Sequence, residues 1–307
     1  MKLSAHHKAQ GDDVEWYHPF GERYDRVYCA KVFSFSENYR ECINADEVVR
    51  GGSGYHISLH NGREVWNEDG RYMQRLPCHI EHTYPDYSLY PDQTKDTAYG
   101  FLTRGCPRGC AFCHVASKEG RQSAKVADLS EFWHGQKNIV LCDPNLLACA
   151  ESENLLAQLV ESGAKVDFNQ GLDARLITTQ KAELLGHVRT NEVHFAWDRM
   201  RDKESVLRGL ELYARFAKKR PHSHIAVVYV LVNFDTTIEQ DLERIYTLRK
   251  MGYWAYVMVY DKKHATMEYR RLARWCNNRY IFAVCPRFEE YRTAAKIPAG
   301  EGGAGAL

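Results

Sequence analysis

Gly105-Cys106-Pro107-Arg108-Gly109-Cys110-Ala111-Phe112-Cys113 follows directly on the short apolar segment Tyr99-Gly-Phe-Leu-Thr, and this junction decides how the chain is read. The three cysteines stand at C-x3-C-x2-C spacing on one short loop. Three thiolates so placed can bind three irons of a cubane cluster, whereas iron–sulfur clusters ordinarily take four protein thiolates. No fourth cysteine lies near the loop in sequence, which leaves one iron free for a non-protein ligand. A zinc reading needs four ligands around a tetrahedron. His114 is the only nearby candidate, and its adjacency to Cys113 makes joint ligation awkward. The other seven cysteines, Cys29, Cys42, Cys78, Cys142, Cys149, Cys276 and Cys285, are scattered. They read as small buried hydrophobes, because a chain of 307 residues has core enough to do without disulfide staples.

Working outward, strand-like and helix-like segments alternate. The first strand, Tyr99 to Thr103, is followed by an expected helix over 125–133 with Leu129, Phe132 and Trp133 on its apolar side. Strand 138–142 and helix 152–162 come next, the helix stopped by Gly163. The pattern repeats as strand 165–169, helix 179–188, strand 192–197, helix 202–216, strand 225–232, helix 237–251 and strand 254–260. Asp235-Thr-Thr-Ile-Glu supplies the N-cap of the last of these helices. Strands alternating with helices predict a parallel sheet with right-handed crossovers. Six units are too few to close an eight-stranded barrel, so the expected core is α/β, an open partial (β/α)6 barrel over residues 86–265. In such barrels reacting groups gather at the C-terminal ends of the strands, and the cysteine loop follows the first one.

A C-x3-C-x2-C loop, with Phe112 before its last cysteine and after the first strand of a six-unit array, resembles the radical S-adenosylmethionine (SAM) superfamily. The resemblance covers about residues 99–261. It implies a [4Fe–4S] cluster on Cys106, Cys110 and Cys113, with the fourth iron chelated by the amino and carboxylate groups of SAM. An electron from a flavodoxin or ferredoxin would split SAM into methionine and a 5′-deoxyadenosyl radical, which abstracts hydrogen from the substrate. The protein positions this chemistry and excludes water.

The resemblance also directs attention to the later strand ends. Where many relatives have a Gly-Gly-Glu stretch, this chain has Cys142-Asp143-Pro-Asn145, and Asp143 and Asn145 are expected to accept from the SAM ammonium. An ordinary turn before the next helix is the competing account. After the third strand, Asn169, Gln170, Asp173 and Arg175 suit ribose hydroxyls and, for Arg175, a carboxylate. An Asp173–Arg175 surface pair would look the same in sequence. Trp197, Asp198, Asn233, Asp235 and Tyr260 follow further strands and are expected to line the cavity. No residue is assigned a catalytic role.

Residues 1–85 differ from the core. The end of a helix at 6–10, strands at 13–17 and 26–33, and a strand at 47–50 running into Gly51-Gly-Ser-Gly resemble part of a doubly wound nucleotide- or cobalamin-binding fold that lacks its first strand. Residues 62–98 read as a linker. Such modules occur in cobalamin-binding radical SAM proteins and in tRNA methylthiotransferases. The first group is marked by an Asp-x-His-x-x-Gly loop absent here, so cobalamin is not expected. The second carries three further cysteines in a context this chain does not show.

Residues 267–276 form a basic amphipathic helix, and the Gly/Ala-rich tail 297–307 is expected to be flexible, within a terminal segment 266–307. With 41 basic and 40 acidic residues the formal charge is +1, which gives no electrostatic argument for a nucleic-acid or membrane partner. No apolar run reaches membrane length and no signal peptide opens the chain, so a cytoplasmic protein is expected. The sequence leaves three readings: a radical SAM enzyme on an unidentified substrate, a non-catalytic iron–sulfur redox-sensing or binding protein, and a methyl- or methylthio-transferase acting on nucleic acid. The polar cluster 169–175 separates the first two, since a structural cluster needs no ribose-like site.

Overall fold

A computed structural model describes residues 1–39, 42–60, 63–66, 76–217 and 226–292. The tail expected at 297–307 therefore lies outside the described residues. Six parallel strands carry the core: β5 (Thr97–Gly100), β8 (Asn138–Leu141), β9 (Lys165–Phe168), β10 (Val193–Ala196), β11 (Ala226–Val232) and β12 (Trp254–Val259). They pair in chain order as two three-stranded sheets, β5-β8-β9 and β10-β11-β12. The expectation of one continuous curved array is met only in part. Between β9 and β10 single bridges, Lys165 with Arg189 and Leu172 with Phe195, replace a ladder. The reason is local: the Val166 N–H bonds the Arg189 carbonyl in the preceding loop, and Leu172, beyond the turn at Gly171, bonds His194. No ladder joins β5 to β12 among the described residues, so the array stays open.

Helices α2 (Ser152–Ser162), α3 (Thr179–His187), α4 (Lys203–Phe216) and α5 (Ile238–Lys250) cover one face. In α2, Leu155, Leu156 and Leu159 recur at helical spacing and are fully buried. Gly163 ends it in the left-handed conformation, φ 60°. A capping box between Thr237 and Gln240 starts α5. That helix carries a buried cation, Arg244, which donates to the carbonyls of Trp197 (2.6 Å) and Leu231 (2.7 Å) and pairs with Asp241. It thus ties together the C-terminal ends of β10 and β11. Gly209 lets α4 press on the loop after β9, for a Cβ there would stand 1.8 Å from the Ala174 carbonyl oxygen.

The helix expected over 125–133 does not form. Residues Ala124–Lys125 (β7) pair antiparallel with Thr103–Arg104 (β6), and only a 3-10 turn, Leu129–Glu131, follows. Asp128 and Glu131 cap that turn reciprocally, and the buried Phe132 ring lies so close to Gly100 that a Cβ would meet it at 2.5 Å. A tertiary contact of this kind overrides a short amphipathic pattern. At the other end, α6 (Met267–Asn277) buries Leu272, Trp275 and Cys276. Its Asn277 side chain both accepts from the Val257 N–H (2.7 Å) and donates to the Val257 carbonyl (2.9 Å), closing the edge of β12. Arg271 of the same helix donates to the carbonyls of Phe288 and Tyr291 and so packs α7 (Arg279–Val284) and the following turn.

The N-terminal region holds α1 (Lys2–Gln10), two parallel strands β1 (Tyr24–Ala30) and β2 (Ala45–Gly51), and an antiparallel hairpin of β3 (Ile57–His60) and β4 (Arg63–Trp66). The expected strand at 13–17 joins no sheet among the described residues, its Glu15, Trp16 and Tyr17 being held by side-chain hydrogen bonds to Tyr24, Leu89 and Asn44, and no helix crosses between β1 and β2 among the described residues. Part of the expected linker is ordered into short helical turns at 78–81, 87–89 and 91–94. Ser4 and Lys8 of α1 bind Asp86, so a network crosses the expected boundary at residue 85. Trp66 donates to the Ser117 carbonyl, docking the hairpin beside the cysteine loop.

Candidate functional site

Gly105 bends the chain out of β6 with φ 84°, and a Cβ there would stand 2.1 Å from the Gln122 carbonyl oxygen, so the approach to Cys106 requires glycine. The Cys106 N–H bonds the Gly120 carbonyl and the Cys113 N–H bonds that of Cys110. The loop closes on itself. Cys113 is electrostatically coupled to Cys110 on one side and to Cys106 on the other. Desolvation pushes the Cys110 and Cys113 thiols up, while the charges of Arg199 and Arg175 work against this at Cys110. Among the described residues no three metal-ligating side chains converge on a single ion. A cubane asks for something else, one thiolate at each of three separate irons.

Asn145 closes the other side. It is 4% exposed, and its Nδ2 donates to Cys106 Sγ (3.4 Å) and to Asp173 Oδ2 (3.3 Å). Both partners are acceptors, which fixes the amide orientation. Its Oδ1 is then buried without a partner. An orphaned acceptor of this kind costs roughly 1–3 kcal/mol, and an ammonium beside the cluster would complete it. The donor set and this acceptor together fit a cluster whose open iron carries an amine-bearing ligand.

Asp173 is the hub of the strand-end cluster. It accepts from Arg108 Nε of the cysteine loop (2.8 Å) and from Arg175 Nε (2.7 Å). Burial pulls its carboxyl up, but Arg175 and Arg108 prevail and hold it below the usual carboxylate range. Arg175 also binds Asp202 (2.7 Å). Its Nε–Nη2 edge lies bidentate on Asp173 and its Nη1 on Asp202, so the guanidinium is paired within the chain where the sequence reading had it clamp a ligand carboxylate. Asp143 needs a similar correction. Its carboxylate accepts from the N–H groups of Leu102 (3.1 Å) and Thr103 (2.5 Å) and from the Thr103 hydroxyl (2.7 Å). Burial first of all pushes it up to about 6. It anchors the chain entering the cysteine loop, while the Asn145 Oδ1 of the same segment stays without a partner.

Phe112 meets Phe234 edge to face (5.4 Å), Phe234 meets Tyr260 in turn (4.8 Å), and the Arg199 guanidinium stands 6.0 Å from the Phe112 ring. Trp197 lines no cavity: it is fully buried and bonds the Arg199 carbonyl. Asp198, in contrast, has its charge felt by both Cys110 and Cys113, and burial pushes its carboxyl up. Asn233 adopts φ 62° and donates to the Tyr260 carbonyl (2.9 Å), a turn role. Asp235 is exposed, 3.9 Å from Arg199. Asn169 and Gln170 are exposed at the end of β9, Asn169 beside Cys142. The sequence reading missed Arg108 as a latch, and it missed Arg199, Asp202 and Phe234 altogether. Position between two cluster cysteines was a signal for Arg108; nothing local marked the others.

A scan against protein-family models matches none, and no curated protein matches the sequence. The fold does have a solved counterpart. The radical S-adenosylmethionine methyltransferase TsrM from Kitasatospora setae, determined with cobalamin and a [4Fe–4S] cluster bound, superposes with a TM-score of 0.55 over 84% of this chain and 64% of that one, at 11% identity. This chain has the fold of a radical SAM enzyme. It spans just under two thirds of the length of that counterpart. A radical SAM match of this extent cannot be confined to residues after 86, so it reaches into the N-terminal region. The expectation that cobalamin plays no part is thereby corrected, because a radical SAM protein of this fold holds it. No helix among the described residues is long and apolar enough to cross a membrane.

Proposed function

We propose that this chain is a radical SAM enzyme, with Cys106, Cys110 and Cys113 holding a [4Fe–4S] cluster and Asn145 receiving the SAM ammonium. The observation that carries the reading is the buried, partnerless Oδ1 of Asn145 on a side chain that also donates to Cys106. When bound, the cluster and SAM supply one-electron cleavage of a sulfonium to methionine and a 5′-deoxyadenosyl radical that takes hydrogen from the substrate. The chain's own residues hold that pair in place. Arg108 and Asp173 latch the cysteine loop to the end of β9, and Asp143 anchors its entry. Asn169 and Gln170 offer exposed amides for ribose hydroxyls, and Phe112, Phe234 and Tyr260 form an aromatic edge beside the loop. A flavodoxin- or ferredoxin-type protein is the proposed electron donor.

A second reading, methyl transfer with cobalamin, is favoured by the counterpart's bound cobalamin and by a match that extends into the N-terminal region. The glycines after β2 do not themselves form a cradle for it. A Cβ at Gly52 or Gly54 would stand within 2.6 Å of Lys31 or Phe33 atoms, so these glycines admit the chain's own backbone.

Anaerobic reconstitution with iron and sulfide, then dithionite and SAM, with and without cobalamin, separates the readings by mass spectrometry. 5′-Deoxyadenosine from wild type and not from Cys113→Ala supports the first. S-Adenosylhomocysteine formed only with cobalamin present supports the second. A cluster that forms and leaves SAM intact under both conditions refutes both.

A further inference from the structure

On the face turned away from the helices, the two sheets carry one acid and several tyrosines at neighbouring register positions. Register places Tyr99, Val140 and Asp167 side by side on β5, β8 and β9, and Ala196, Tyr229 and Tyr256 side by side on β10, β11 and β12. Their chain neighbours, such as Phe168, Phe195, Val228, Val230 and Val257, are buried under the helices, so by strand alternation these six face the opposite way. Burial, and then the charges of Glu192 and Asp167, push the Tyr229 phenol up. Asp167, on the edge strand β9, and Ala196, on the edge strand β10, thus bring the two rows to the gap between the sheets, with Tyr229 next to Ala196.

Parallel sheets are ordinarily covered on both faces. Here Tyr256 and Met258 remain 37% and 47% exposed on the inner face. Asp167 is exposed as well. Neither its carboxylate nor the hydroxyls of Tyr229 and Tyr256 has a hydrogen-bond or ion-pair partner among the described residues. The rings are nonetheless fixed: Tyr229 stacks on His194 at 5.2 Å and 6°, and Tyr256 stands edge-on to Tyr229 at 5.7 Å and 86°. One layer nearer the strand ends, about 7 Å along the strand, Asp198 reaches Cys110 and Cys113.

We propose that this layer is the floor of the substrate cavity and that it binds an ammonium group, making the substrate a primary amine such as an amino acid. Asp167 supplies the counter-charge, the Tyr229 and Tyr256 hydroxyls accept the remaining N–H donors, and the ring faces add cation–π attraction. Glu192 is engaged by His194 (3.3 Å) and Arg279 (3.9 Å), but the unpaired Asp167 repels a phosphate, so a nucleic-acid backbone is the wrong chemistry for this floor. The inference rests on the radical SAM reading for its claim that the bound amine is the substrate.

The test uses anaerobically reconstituted holoprotein with SAM present and reads binding by ligand-observed NMR, without turnover. The probes are phenethylamine, 2-phenylethanol, phenylacetate and a capped lysine amide. The amine should bind about tenfold or more tighter than the alcohol, phenylacetate should not compete, and Asp167→Asn should abolish the preference. Tyr256→Phe, at an exposed position, should weaken the amine several-fold with an unchanged circular-dichroism spectrum. Binding of the capped lysine amide assigns the same ammonium chemistry to a protein side chain. The proposal is overturned if phenylacetate matches the amine, if Asp167→Asn binds it as wild type does, or if no probe binds wild type. Amine selectivity without SAM cleavage would sink the radical reading and leave this site; cleavage without selectivity does the reverse.

Discussion

Replacing Asn145 by leucine removes a buried amide and leaves a side chain of nearly the same volume. Two hydrogen bonds are lost, to Cys106 Sγ at 3.4 Å and to Asp173 Oδ2 at 3.3 Å. The N–H···S bond stabilises the reduced, more negative cluster over the oxidised one, because donors to cluster sulfur offset the added charge. A single net hydrogen bond contributes about 1 kcal/mol, which for one electron is about 40 mV. The midpoint potential of the cluster in Asn145→Leu should therefore fall by about that amount. The assay is an anaerobic redox titration of reconstituted protein followed by EPR, with no SAM added, so that loss of a SAM contact does not enter. Iron content should stay at the wild-type level, since the three cysteines are untouched. A potential unchanged in the variant, with full iron loading, would show that Asn145 does not address the cluster. A rise would reverse the sign of the argument and refute it outright.

Cys106→Ala, Cys110→Ala and Cys113→Ala should each lose the complement of about four irons per chain, measured by iron analysis and the loss of visible absorbance, while Cys142→Ala keeps it; equal loss in all four would refute the assignment. Asp143 has a folded pKa of about 6, above its ordinary 3.8, so its stabilising contribution is full below about pH 4 and is lost as pH rises through about 6, roughly 3 kcal/mol in all. Urea unfolding of the apoprotein should show the gap between wild type and Asp143→Asn moving by up to that amount across the window, and a pH-independent gap contradicts it. Gly209→Ala should destabilise by about 2–3 kcal/mol, because its Cβ would stand 1.8 Å from the Ala174 carbonyl oxygen next to Asp173. An unchanged urea midpoint would show that α4 is free to move away.

The strands and most of their helices were legible from periodicity, because each helix buries a stripe such as Leu155, Leu156 and Leu159 that repeats with the helical turn, but the break of the array into two sheets between β9 and β10 was not. The helix expected at 125–133 was not, since Phe132 is drawn away by the space over Gly100, a contact between residues 32 apart. The same distinction runs through the site. Sequence alone determined the cysteine loop, because three thiols within eight residues must share one neighbourhood whatever the rest of the chain does. It also brought Asn145, Asp173 and Arg175 to attention as strand-end residues. Only the tertiary structure decided their roles: Arg175 is occupied by Asp173 and Asp202, Asp143 by the backbone of residues 102 and 103, and Trp197 by the core. Whether a polar side chain is free for a ligand depends on which partners other strands bring within about 3 Å. That is a property of the packed chain, and no local pattern records it. For the same reason Asp167, Tyr229 and Tyr256 went unnoticed, since each is ordinary in its own strand and they meet only when parallel register sets them on one inner face.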